Sequence, residues 1–194
     1  MEYEKRLTGF IIHGFAVAHA VAAAALAQTL VGDEVVLTTL TISMILVIAR
    51  INKRSWEVGD ALSFIGILAG TYLGSRGAVL LVKWIPLIGN AANAITTFAV
   101  TEIIGWATFL VVKEGKEPKK MTKKEIAALK QQAREIADEE HEKSKQLYES
   151  MNKEDKKEYE HIMKLLNDKK ITDDVRDYLL QRIEEIVKRY VQVS

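Results

Sequence analysis

From Gly9 to Gly32 the chain runs for 24 residues without a formal charge (GFIIHGFAVAHAVAAAALAQTLVG). About 20 apolar residues in a helix cross a hydrocarbon core. The only polar side chains in 9–31 are His13, His19, Gln28 and Thr29, too few to clothe the solvent face of a soluble helix. A second uncharged run covers 35–49 and reaches Ile51 if Arg50 snorkels. A third covers 61–82, interrupted by Arg76, and a fourth helix is predicted from about Asn90 to Val112, interrupted by Glu102. Gly32-Asp33-Glu34 is an acidic turn short enough only for an antiparallel hairpin, and Pro86 and Gly89 punctuate the third turn.

Beyond Lys113 the pattern changes. Residues 113–121 read as a polar linker, and Thr122 followed by Glu125 is a capping box. Ile126, Leu129, Ala133 and Ile136 then recur at helical spacing, more weakly to Leu147 and Met151. A second helix is predicted over 153–168 with Tyr159, Ile162, Met163 and Leu166 inward. Thr172 caps a third, with the stripe Val175, Tyr178, Leu179, Ile183, Ile186, Val187, Tyr190 and Val191. The pattern predicts an all-α chain. A four-helix membrane-associated domain of two hairpins occupies 1–112, and a charged helical domain, bundle or coiled coil, occupies 122–194. The apolar stripes of the latter are narrow, so it is expected to lean on a partner.

Charge sharpens this division. Residues 9–112 hold ten ionised side chains, whereas 113–194 hold 20 Lys+Arg and 19 Asp+Glu. A net charge of +1, evenly spread, leaves no nucleic-acid footprint, and the absence of cysteine excludes disulfides and thiolate metal sites. Basic residues cluster at Lys5 and Arg6, in the 50–60 loop, and after the fourth helix. By the positive-inside rule this predicts a multi-pass protein of a bacterial or archaeal inner membrane with both termini cytoplasmic. Tyr72, Trp84 and Trp106 are candidate interfacial anchors. The competing readings are a soluble domain with a colicin-like apolar hairpin and a signal peptide cleaved near Ala25-Leu26-Ala27, whose uncharged run is long for an h-region.

The candidate chemistry lies in the apolar half. Glu102 falls mid-membrane by count, where a carboxylate costs about 2.5 kcal/mol or more unless protonated, paired or wet. Arg76 is its candidate partner, although a hairpin register places Arg76 opposite Thr96. Asn90 and Asn93 read as caps or as a polar lining. His13 and His19 are six apart and cannot chelate one ion from a single helix, so each reads as a packing histidine. Gly66, Gly70 and Gly74 form a small-residue ridge matched by Ala16, Ala20, Ala23 and Ala27, suited to packing within the chain or between copies. His161 and Glu158 read as surface residues, and no cofactor or metal site is expected. Arg134 and His141 have the spacing of the Arg-x4–6-His element of HEPN ribonucleases, which a helix this charged also produces by chance.

His19 in an Ala-rich helix, then Asp33, Met44-Ile45 and Ile48-Ala49, together with PLIGNAANAITTFAVTEIIG over 86–105, resemble the YcjF-type family of unknown function. The resemblance covers roughly 10–112, and His19, Asp33, Pro86, Gly89, Asn90, Thr101, Glu102 and Gly105 match its pattern. It implies a small helical membrane-associated domain, which some members carry behind a GTPase. This chain departs from it in having no proline before Asp33, no GTPase and no GxxxxGK[ST] loop. The expectation is therefore a non-enzymatic, oligomeric membrane protein. Its partners would be a lipid bilayer, copies of itself and a cytoplasmic protein recruited by the charged tail, with no nucleic acid. The alternatives are an ion- or proton-conducting pore lined by Glu102, Asn90 and Asn93, and a HEPN-like nuclease.

Overall fold

The computed structural model describes residues 2–26, 34–69, 94–168 and 170–192, and all regular structure among them is helical. We number the helices α1 (Glu2–Leu26), α2 (Glu34–Ile51), α3 (Val58–Leu68), α4 (Ala94–Glu114), α5 (Lys123–Glu149), α6 (Lys153–Leu166) and α7 (Asp173–Val191); a short 3-10 turn covers Pro118–Lys120. The all-α expectation holds. Asp33, Gly70, Gly74, Arg76, Asn90 and Asn93, with Tyr72 and Trp84, lie outside the described residues; Gly66 is buried on α3.

Local chemistry explains the helix limits. Glu2 and Glu4 sit in the first turn of α1, where the helix dipole favours acids, so the helix starts ahead of the uncharged run. Three hydroxyls inside the apolar helices are satisfied by the preceding turn, while Thr8 Oγ1 on α1 is buried without a hydrogen-bond partner. Ser43 donates to Thr39 O (2.9 Å), Thr101 to Thr97 O (2.7 Å) and Thr108 to Ile104 O (2.8 Å). The capping box at Thr122 and Glu125 forms, and Thr172 caps α7 by accepting from Val175 N–H.

α1 runs antiparallel to α4 and α2. Lys113 pairs with Glu4 at one end, Gly105 lies against Ile12, and Phe98 meets His13. His19 meets Thr41 on α2. The Glu4 and Lys113 end is therefore charged, and Arg54 closes it by donating from Nε to Val112 O (3.1 Å) at the α4 terminus. Gly115 follows at φ +65°, and a Cβ there would stand 2.6 Å from the Arg54 guanidinium.

The charge boundary in the sequence is not a packing boundary. One core runs from Leu7, Phe10 and Phe15 through Trp106 and Val111 to Tyr148, Tyr159, Leu166, Ile183 and Val191. The narrow stripes of α5–α7 are covered by the chain's own apolar helices. The Phe10 ring lies 6.0 Å from Tyr148, 6.3 Å from Tyr159 and 6.2 Å from Tyr190, centroid to centroid. Lys5 (2.8 Å) and Lys143 (2.9 Å) both donate to the buried Glu140 carboxylate. Desolvation pushes that carboxyl up, but the two ammonium groups outweigh it and hold its pKa below the ordinary value.

Three expectations need correction. The stripe of α7 holds at Leu179, Ile183, Ile186, Val187 and Val191 but differs in its opening turns. Arg176, Leu179, Leu180, Ile183, Ile186, Val187 and Val191 point inward, while Val175 and Tyr178 are 49% and 63% exposed. Leu180 takes the inner position, and Arg176 enters by pairing with Asp173. On α5 the buried face continues through Ala137, Glu140, Ser144 and Tyr148, with Ile126 and Ile136 only half-buried. Trp106 is no interfacial anchor: it is fully buried against Phe109 and Gly9. Tyr159, Ile162, Met163 and Leu166 lie inward as expected.

The Tyr159 hydroxyl is buried without a hydrogen-bond partner, and burial pushes its pKa well above the ordinary tyrosine value; burial likewise pushes Tyr148 up to about 12. Removing an unsatisfied buried hydroxyl forfeits nothing, so Tyr159→Phe is expected to be neutral or stabilising by up to about 1 kcal/mol in urea titration. A raised folded-state pKa adds stability that is intact below the unfolded value near 10 and lost as pH rises towards the folded value. Absorbance titration should show Tyr148 and Tyr159 ionising only as the fold opens above pH ~10. Ionisation of every tyrosine near pH 10 in a folded chain would contradict their burial.

Candidate functional site

Three elements bring titratable side chains to one point. α1 supplies His13, α4 supplies Glu102, and α5 supplies His141 from the far side of the linker. The Glu102 carboxylate lies 3.2 Å from His141 Nδ1 through either oxygen and 3.6 Å from His13 Nδ1. Their side chains are 9% (Glu102), 6% (His13) and 36% (His141) exposed, so of the three His141 on α5 is the most open to solvent. Phe98 meets both imidazoles edge-on at 5.2 and 5.6 Å, and Tyr148 lies 5.6 Å from His13. His141 Nε2 points towards Glu142, 3.9 Å away.

A buried carboxylate needs a cation or a proton. In this chain its neighbours are imidazoles, which accept either. A proton between Glu102 and His141 satisfies that pair alone, and His13 Nδ1 has no hydrogen-bond partner. A divalent cation would engage all three donors at once.

His19 is not part of this group. Its Nδ1 donates to Phe15 O (2.9 Å), and its Nε2 lies 3.1 Å from the Thr41 hydroxyl oxygen. It joins α1 to α2 as a buried packing histidine. Of the residues expected around Glu102, Arg76, Asn90 and Asn93 lie outside the described residues, as does Asp33. His141 was legible only as half of a ribonuclease-like spacing, and Arg134 is exposed. His13 had one usable signal, since a carboxylate in an apolar half with so few titratable groups implicates its histidines.

A second feature lies at the opposite end from Glu4 and Lys113. No ionisable group except histidine occurs in 14–26, 35–49 or 94–101. Val21 is 66% exposed there and Ile95 78%. Among the described residues α1 is the one helix long and apolar enough to cross a membrane, over Glu2–Ala25, and 61% of its most apolar window is already buried. The chain matches no family model, and no curated protein and no solved structure matches it.

Proposed function

We propose that this chain is a non-enzymatic membrane protein that enters the bilayer by the end carrying Val21 and Ile95 and keeps α5–α7 in the aqueous phase as a platform for assembly and partner recruitment. The observation that carries this reading is the end-to-end asymmetry. Val21 and Ile95 are exposed apolar side chains at the end where α2 opens on Glu34, while Glu4, Lys5, Arg6, Arg54 and Lys113 gather at the other. Water charges about 25 cal/mol for each Å² of exposed apolar surface, and lipid removes that cost. The positive-inside rule places the basic end, and with it both termini, on the cytoplasmic side of an inner membrane. At 1.5 Å per residue, the 13 residues 14–26 extend about 20 Å, two-thirds of a hydrocarbon core of about 30 Å. The exposed pair Val175 and Tyr178, one turn apart on α7, is where a cytoplasmic partner or a second copy would dock.

Flotation with anionic phospholipid vesicles tests the reading. The native chain should float with the vesicles. Val21→Lys combined with Ile95→Lys should weaken binding at least tenfold, because a lysine inside the hydrocarbon costs about 2.5 kcal/mol or more. A native chain that is monodisperse without detergent and stays away from vesicles would refute it.

A further inference from the structure

We infer that His13, Glu102 and His141 form a binding site for a zinc-class divalent cation that ties the aqueous helix α5 to the apolar pair α1 and α4. The inference does not depend on membrane insertion. Two imidazoles and one carboxylate are three of the four ligands of a tetrahedral site, with the fourth left to water. For metal–ligand bonds of 2.0–2.1 Å, the ligand atoms of a tetrahedron stand about 3.4 Å apart. Here the two measured edges are 3.2 and 3.6 Å, and all three donor atoms lie within 4.8 Å of one another. A sub-ångström shift of each imidazole closes the third edge.

Burial and hydrogen bonding point independently to the same place. The His13 side chain is 6% exposed, aimed at the Glu102 carboxylate, and its Nδ1 has no hydrogen-bond partner. An orphaned buried polar atom is destabilising, by about 1–3 kcal/mol, unless something engages it. The surroundings suit a metal. Phe98 and Tyr148 shield it. The half-exposed edge of His141 is the entry path. Imidazole-rich sites favour zinc, copper, nickel and cobalt over magnesium and calcium, which select oxygen ligands.

The test uses the untagged full-length chain, stripped with a chelator. Titration with Co²⁺ should give the visible absorption of tetrahedral cobalt, saturating at one equivalent, and Zn²⁺ should displace it while Mg²⁺ should not. Zn²⁺ should also raise the unfolding midpoint. His141→Ala should lower the affinity at least ~100-fold because it removes one of three protein ligands. His141 is partly exposed, so its loss should leave the fold intact; Glu102→Gln serves as the second variant. His161→Ala, an exposed histidine on α6, should change nothing. A native chain that fails to bind either metal with one-to-one saturation overturns the inference. So does unchanged binding in a folded His141→Ala or Glu102→Gln variant.

Discussion

Ending the chain at Met121 is expected to abolish folding of what remains. α5–α7 carry Leu129, Tyr148, Tyr159, Ile162, Met163, Leu166, Ile183, Ile186 and Val187 into the same core as Phe10, Ile11, Ile12 and Phe15 of α1. Each large apolar side chain is worth about 1.5–3 kcal/mol when buried. Uncovering several at once exceeds the roughly 5–15 kcal/mol by which a domain is stable. Residues 1–121 should therefore aggregate or survive only in detergent, with no cooperative transition by circular dichroism. A soluble, cooperatively unfolding 1–121 fragment would mean that α5–α7 form a separate unit.

Substitution of Gly14 carries the next largest effect. A Cβ there would lie 2.2 Å from the Tyr159 hydroxyl oxygen, 2.7 Å from Cζ and 2.8 Å from Cε1, against a ring with no exposure. The helix gains about 1 kcal/mol of propensity when glycine becomes alanine. Overpacking a filled core costs about 1–3 kcal/mol and can exceed this for larger side chains. Gly14→Ala should come out net destabilising, and Gly14→Leu should lose about 3 kcal/mol in urea titration. Tyr159→Phe removes the nearest atom but not Cζ or Cε1, so it should rescue Gly14→Ala in part. The double-mutant cycle then reports a coupling between α1 and α6. Additive effects would place these helices further apart.

How much of this could be read in the sequence follows from the range of each interaction. The caps at Thr122 and Thr172 and the buried face of α6 depend on residues three or four apart, and they stand where the pattern put them. On α7 the pattern places Leu179, Ile183, Ile186, Val187 and Val191 inward correctly but not the opening turns, because Tyr178 and Leu180 both fit a helical stripe and only the neighbouring helices choose between them. The charge contrast at Lys113 suggested two domains. Composition records which surfaces are apolar but not which surface each one covers, and here the partner of the tail is the first half of the chain. Gly9, Gly14 and Gly105 pack closely against neighbouring side chains, and of the Gly66 ridge only Gly66, buried on α3, lies within the described residues. The cluster of His13, Glu102 and His141 joins residues up to 128 positions apart and has no local signature; only the need of Glu102 for a partner was legible.

The central claim is that apolar α1 and ionised α5 are packed together in the membrane-bound protein. The chain has no cysteine, so an introduced pair reads this without background. A Cβ at position 9 lies 2.5 Å from the Ser144 hydroxyl oxygen, which keeps the two Cβ atoms within about 4 Å, inside the range of a disulfide. Gly9→Cys with Ser144→Cys, oxidised mildly in intact membranes before any detergent is added, should cross-link nearly completely within one chain. A pair that stays reduced there, in protein that is folded and membrane-bound, would show that the ionised helices do not cover the apolar ones.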